Sequence, residues 1–365
     1  MRAIDAAVRE PRTLFLSTPN LNFFAMCWRD AEFRRSLLVS DLCLPDGMPV
    51  LWIGRLIGVP IRERLAGSDL LAALRRQTAA RDPLRLFFFG GDDGVAEAAA
   101  NAFNAPGSGS RCVGWLNPGF RPIEEMSGAA TIDAINDSGA DFLVVALGAK
   151  KGQTWLMRNA ERLRVPVRAH FGASLNFEAG KLKRAPEFLQ RFGLEWLWRI
   201  KEEPHLWRRY FGDGVALLHA LVANVAPIVI HDWLHPGEAS AAFRIDTASD
   251  PSGAVRVALS GPATSAHADR LISGFEDALS AVGTITIDMS GVTRIDARFL
   301  GLLVVYRRKA ANAKLRLLFV GLADGLLRQI RLHKSEYLFV ADPEPNPPPS
   351  ADADTPKALS SAPIV

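Results

Sequence analysis

The chain has 365 residues, 48% of them hydrophobic, and a formal charge of +4; this is enough for about two ordinary domains and does not point to nucleic acid. Its three cysteines, Cys27, Cys43 and Cys112, show neither metal-ligand spacing nor a disulfide framework, as a reducing cytosol would have it. The opening MRAIDAAVREPRTLFL lacks the basic start and apolar core of a secretory signal.

Over the first ~230 residues, β-like apolar runs alternate with helical patterns, which predicts an α/β sheet. A strand-like stretch at 14–16 precedes Thr18-Pro19-Asn20. Asp46-Gly47 stands in the turn LPDGMP, and Arg64, Gly67 and Asp69 follow in ERLAGSD. A carboxylate on a Gly-bounded loop can accept a proton from a substrate hydroxyl. Asp-Gly alone is equally an ordinary turn, Arg64 a surface ion pair, and Thr18 or Asn20 a local cap. The run LRLFFF at 84–89 predicts a buried strand ending at Gly90-Gly91, with a helix over Val95–Phe103. Such a glycine pair lets backbone N–H groups approach a diphosphate, but GGDDG is not the G-x-G-x-x-G fingerprint of dinucleotide sites, which sets aside an oxidoreductase. DFLVVAL at 141–147 predicts a second strand, then Gly148, the loop GAKKGQ and a helix from about Gln153. A third strand falls at 165–171, ending at Gly172. His170 and His205 are isolated, with no metal-ligand pattern around either, and no metal or cofactor is expected. Ligands of open α/β sheets sit beyond the carboxyl ends of strands, so the loops after these runs are the candidate site.

The segment 184–210 interleaves Arg184, Arg191, Arg199, Arg208 and Arg209 with Phe188, Phe192, Trp196, Trp198 and Trp207. Arginine suits bidentate phosphate contacts, and tryptophan a boundary that is apolar at one end and wet at the other. The composition predicts a surface that handles phosphorylated groups beside a membrane, or an amphipathic helix with a solvated basic face. The apolar window at 214–230 is shorter than the ~20 residues of a bilayer span, which predicts an interfacial or partner-binding helix. A linker is expected at 231–241. A second unit at 242–340 then carries strands at 242–247, 255–259, 285–289 and 315–320, with helices at 265–281, 297–311 and 324–332. The tail 341–365, with PEPNPPPSADAD, is expected to be disordered.

Taken in order, TPN at 18–20, PDG at 45–47, ERLAGSD at 63–69, the Gly90-Gly91 turn, GAKKGQTW at 148–155, AGKLKRAP at 179–186 and GLEWLWRIKEEP at 193–204 resemble the WecG/TagA/CpsF glycosyltransferases (glycosyltransferase family 26) over roughly residues 11–212. The resemblance implies a Rossmann-like domain over 1–230, with a membrane-proximal helical appendage at about 190–230. It implies inverting transfer of a sugar from a UDP-sugar donor to a polyprenyl-diphosphate-linked acceptor, for exopolysaccharide or another cell-envelope polysaccharide. By position, Asp46 matches the catalytic base, with Thr18 and Asn20 beside it and Arg64 in the E-R-x-x-G element. Arg199 and Arg209 match phosphate-binding arginines of the appendage. Gly90, Gly91, Gly148, Gln153 and Asn176 complete the implied substrate-binding set. The enzyme would be cytoplasmic and peripheral on the inner face of the cell membrane.

Family members commonly read G-x-P-K-Q-E-x-W, where this chain has Lys150, Gly152 and Gln153 at the Pro, Gln and Glu positions. Leu175-Asn176 replaces a common Phe-Asp, and Leu206 stands where an arginine is frequent. These departures leave the donor sugar open. They also keep a second reading alive, a degenerate transferase that binds nucleotide-sugar and regulates or scaffolds. TITIDMSGVTRIDARFLGLLVVYRR at 284–308 is similar to a STAS domain, the fold of anti-sigma-factor antagonists and transporter tails. Ala297 and Arg298 stand where that family has paired serines, so phosphorylation there is chemically impossible and a docking or regulatory role toward a protein partner is implied.

Overall fold

The structure is a computed structural model that describes residues 1–10, 12–77, 83–186, 188–189, 193–235 and 241–340. The tail at 341–365, part of the linker at 231–241, and Arg191 and Phe192 lie outside the described residues. The chain divides into two compact units near residue 237.

In the first unit, β1 (Leu14–Ser17), β2 (Leu42–Cys43), β3 (Leu84–Gly90), β4 (Ser110–Leu116), β5 (Phe142–Ala146) and β6 (Val167–His170) form one sheet, ordered β2-β1-β6-β5-β3-β4. Every pairing is parallel, so all carboxyl ends share one edge. The apolar runs of β3 and β5 are unbroken because both faces are covered. Leu86 and Phe88 enter one core cluster with Phe142 and Val144, while Phe87 and Phe89 enter the other with Leu143 and Val145. Trp155 stacks on Phe89, ring centroids 4.4 Å apart, and its indole N–H donates to the Met126 carbonyl at 3.2 Å. β3 leads outward to β4 whereas β5 leads the other way to β6. The crevice between the ends of β3 and β5 is therefore a topological switch point, the usual ligand position in such sheets. The helix expected from about Gln153 starts earlier, at Ala149, because the Gly148 carbonyl already accepts the Gly152 N–H at 2.8 Å.

After β6 the chain forms the helix Glu195–Glu202 and then a helical run over Pro204–Leu234. This run has 31 residues and a most apolar window of mean hydropathy 1.8, long and apolar enough to cross a bilayer by length and composition. It exceeds the window seen in the sequence because Pro227 does not end it. Proline removes one donor from the ladder, and a π turn at Leu221–Val225 just before it absorbs the mismatch. Asp213 on its inner face accepts from the Asn22 amide at 3.2 Å, and His219 meets the Trp28 ring, which ties the run to the helix Leu21–Arg29.

The second unit is a smaller α/β fold. β7 (Arg244–Ser249), β8 (Val255–Ala263), β9 (Thr284–Ile295) and β10 (Arg316–Val320) form a sheet ordered β10-β9-β8-β7, parallel except for the edge strand β7. The helices Ala268–Ala278, Ala297–Asn312 and Asp324–Leu332 accompany it. Val257, Leu271, Ile287, Phe299, Leu303 and Leu317 are among the side chains of its core.

Candidate active site

Backbone hydrogen bonds bring the nominated loops together at the carboxyl edge of the first sheet. Leu44 N–H donates to the Ser17 carbonyl at 2.8 Å, and Asp46 N–H to that of Pro19 at 2.9 Å, so the turn after β2 is laid against the turn after β1. Gly47 follows at φ +111°, where a side chain would be strained, and lets the chain enter the helix Met48–Leu56 at once. Thr18 Oγ1 donates to the His170 carbonyl at 3.3 Å, and the Asn20 side chain caps the helix Leu21–Arg29 by accepting from Phe23 N–H at 3.2 Å.

Arg64 lies beside Asp46 and is shared by three carboxylates. Its Nη1 is 2.9 Å from Glu195 Oε2 and 3.9 Å from Asp46 Oδ1, and its Nη2 is 3.2 Å from Asp69 Oδ2. The ERLAGSD element builds this arrangement locally. Asp69 accepts from Ala66 N–H at 3.1 Å at the start of the helix Gly67–Arg76, and a Cβ on Gly67 would strike the Phe171 ring at 2.8 Å. Asp46 itself is recessed, its side chain 30% exposed. Burial pushes its carboxyl up to about 7; Arg64 pulls down, Glu195 and Asp69 push further up, and Arg199 pulls down. A carboxylate that binds its proton near neutral pH is the property general-base work requires.

Two cations close the far side. Arg184 Nη1 pairs with Asp69 Oδ1 at 3.0 Å, and Arg199 Nη2 with Glu203 at 2.7 Å. Both guanidinium groups lie over the Phe177 ring, at 6.0 and 5.4 Å from its centroid. Arg184 Nη2 and Arg199 Nη1 are buried with no hydrogen-bond partner among the described residues, so each keeps a donor for an oxygen-rich ligand. Phe177 belongs to the short helix Ser174–Glu178, which also carries the half-buried Asn176. Arg209 stands elsewhere. It is exposed and lies over the Tyr210 ring at 5.0 Å; burial pushes the nearby Asp213 carboxyl up, and the Asn22 amide and Arg209 offset part of that rise.

Gly90, Gly91 and Gly148 fall at the switch point. The Gly91 N–H is already taken by the Ala146 carbonyl at 2.7 Å, and a Cβ on Gly90 would sit 2.8 Å from that same oxygen. The lysines of GAKKGQ turn away, Lys150 to Asp30 at 2.6 Å and Lys151 to the Arg121 carbonyl at 3.0 Å. Gln153 is fully buried beneath the Ser17-Thr18 turn. Its amide donates to Ser17 Oγ at 2.8 Å, Ser17 bonds Ser40 Oγ at 2.7 Å, and Ser40 donates to the Ser36 carbonyl at 2.9 Å. With the Ser40 hydrogen on the Ser36 carbonyl, Ser17 donates to Ser40 and the Gln153 amide supplies the first donor of the chain.

His170 is buried, and burial lowers it to about 4, so it is neutral and gives its Nε2 hydrogen to the Leu147 carbonyl at 2.8 Å. A Cβ on residue 152 would lie 2.1 Å from His170 Cδ2, which explains glycine there. Gly152→Ala is expected to destabilise the first unit by roughly 1–3 kcal/mol, the range for overpacking. Adding His170→Ala should recover part of that loss in a thermal unfolding series, and full additivity of the two costs would contradict the clash.

Sequence reasoning missed Glu195 and Phe177 as members of this site and named Arg184 only as one of the basic residues of the 184–210 segment. The only signal was their position inside the RAP, GLEW and N-F-E stretches. The sequence matches the family described as "Glycosyl transferase WecG/TagA/CpsF family" over residues 1–227 and the one described as "Mlab, STAS domain" over 247–335. It is similar to two proteins called N-acetylglucosaminyldiphosphoundecaprenol N-acetyl-beta-D-mannosaminyltransferase. The one from Bacillus spizizenii is 30% identical, over 53% of this chain and 72% of the relative. The one from Bacillus subtilis is 25% identical, over 53% and 73%. A solved structure titled "The overall structure of SLC26A9" aligns at 12% identity with 56% of this chain and 37% of its own, at a TM-score of 0.22, too low to bear on the fold. The chain belongs to the WecG/TagA/CpsF glycosyltransferase family and carries a STAS domain after its transferase unit.

Proposed function

We propose that this protein transfers a sugar from a UDP-sugar to a polyprenyl-diphosphate-linked saccharide, with inversion, in exopolysaccharide or cell-envelope polysaccharide biosynthesis. The observation that carries the reading is the recessed Asp46 within reach of the Arg199 charge, with Arg184 on the Asp69 that also holds Arg64. Each of these two arginines keeps a buried donor without a partner among the described residues. Ionised Asp46 takes the proton of the acceptor hydroxyl as that oxygen attacks the anomeric carbon. The bond from that carbon to the UDP oxygen breaks, and negative charge grows on the diphosphate. Arg199 and Arg184 offer donors to that charge from positions fixed beforehand, where they act most strongly. Thr18 and Asn20 shape the wall beside the base, and Gln153 acts from below by holding the Ser17-Thr18 turn.

The relatives' activity makes N-acetylglucosaminyl diphosphoundecaprenol the first acceptor to offer and an N-acetylmannosaminyl donor the first of a UDP-sugar panel. Product from one donor supports the reading. UDP binding without turnover on any donor would move it to the regulatory alternative.

The same reading places the enzyme on the cytoplasmic face of the membrane, through the helical run Pro204–Leu234. Its outward stripe includes Trp207, Phe211 (69% exposed), Val215, Leu218 (63%), Val222 (65%) and Trp233 (78%), beside the exposed Arg208 and Arg209. Apolar side chains next to arginines suit an anionic bilayer surface. Fully burying each large apolar side chain contributes about 1.5–3 kcal/mol. Phe211→Asp with Leu218→Asp is therefore expected to weaken sedimentation with phosphatidylglycerol vesicles by more than ~10-fold. Unchanged binding would remove this stripe from the membrane contact.

A further inference from the structure

We propose that Glu195 is a positioning residue: by holding Nη1 of Arg64, it keeps that guanidinium off the Asp46 carboxylate and leaves Asp46 free to accept a proton. For its consequence in turnover, the proposal rests on Asp46 being the base.

The geometry is a competition for one nitrogen. Glu195 Oε2 lies 2.9 Å from Arg64 Nη1, a hydrogen bond, whereas Asp46 Oδ1 lies 3.9 Å from the same atom, too far for one. The rest of the fork is fixed. Nη2 is held by Asp69, which is itself held by Arg184 and by Ala66 N–H. With the Glu195 oxygen removed, the nearest carboxylate left to the Nη1 hydrogens is that of Asp46. A carboxylate that accepts a charge-assisted hydrogen bond binds protons more weakly. The groups that bear on Asp46 are Arg64, Glu195, Asp69 and Arg199, and Arg199 is engaged by Glu203. Glu195 is the only one of the two neighbouring acids that comes from the appendage helix, 131 residues from Arg64 in sequence. Docking of the appendage and readiness of the base thus share one bond.

The test is a ¹³C-carboxyl NMR titration of the full chain labelled at aspartate, with the Asp46 signal assigned by its loss in Asp46→Asn. It needs neither substrate nor turnover. Glu195→Leu, which removes the acceptor as well as the charge, is expected to move the Asp46 midpoint down by about one pH unit or more. In an Arg64→Gln background, the same change should move it by less than half as much. Hydrogen exchange of Glu195–Glu202 in Glu195→Leu should match that of the unsubstituted chain, showing that the helix is still docked. An unmoved midpoint would overturn the proposal. So would equal movement in both backgrounds, which is simple charge repulsion, or movement accompanied by fast exchange, which is uncovering. The acid limb of kcat/KM should follow the NMR midpoint. If the midpoint moves and the limb does not, the positioning role stands and the base assignment of Asp46 fails.

Discussion

Asp46→Asn is expected to lower kcat for sugar transfer by about 10²–10⁴-fold, the usual cost of a lost general base, while UDP binding stays within a few-fold. The substitution keeps the shape of the side chain and removes its ability to take a proton. The backbone bonds that place it, Asp46 N–H to Pro19 and Leu65 N–H to Pro45, are untouched. In the native enzyme the activity should rise with pH through about 7, where the recessed carboxyl ionises. The same change should stabilise the fold, and the sign is fixed by linkage. Asp46 binds its proton more tightly folded than unfolded, so its contribution is fully present below the ordinary carboxyl range near 3.8 and is lost as pH rises through about 7. Asparagine avoids that loss. A gain of roughly 1–3 kcal/mol is expected at pH 8 and essentially none at pH 4, after allowing for the partial exposure of the side chain. Comparative urea unfolding at the two pH values measures it. A variant that keeps near-native turnover would remove Asp46 from the chemistry, and one that is destabilised at pH 8 would show that the carboxylate is not strained by its burial.

The strands that the sequence discloses most clearly are those buried on both faces. β3 and β5 read as unbroken apolar runs because neither side meets water. β2, with two exposed residues, and β4, whose inner face is interrupted by Gly114, leave no such trace. Asp46 and Arg64 are legible because PDG and ERLAGSD are local signals. The three-carboxylate arrangement around Arg64 is not, since one partner is supplied from 131 residues away. Gln153 reads in sequence as an altered ligand contact. Folding instead turns it into the buried donor that heads the Ser17–Ser40 chain, a role that an ionised glutamate in its place could not fill. Arg199 and Arg209 look equivalent in a basic, aromatic segment. Between them Glu203 leaves helical geometry at φ −132° and ψ 79°, and a 3₁₀ turn follows at Pro204–Leu206. That break resets the phase of the helix, so charge alone does not say which arginine faces the site.

The phase difference makes the second large effect specific. Arg199→Gln is expected to reduce kcat about 10²–10³-fold, the range for removing one preorganised donor from developing charge. Arg209→Gln should reduce it less than ~10-fold, because an exposed ion contributes little once solvent screens it. Arg199 has the features such a donor needs: a buried Nη1 without a partner among the described residues, an Nη2 fixed by Glu203, and a guanidinium face resting on Phe177. Lysine at 199 should not restore the rate, since a point charge on a flexible stem reproduces neither the fork nor the stacking. The reading predicts a loss concentrated in kcat, because charge on the diphosphate grows as the sugar departs and the ground state makes weaker use of the donor. A loss confined to KM would make Arg199 a binder of the resting donor. If Arg209→Gln proved the more damaging, the appendage would have to refold over the site when the acceptor binds, carrying Arg209 to the place that Arg199 holds here.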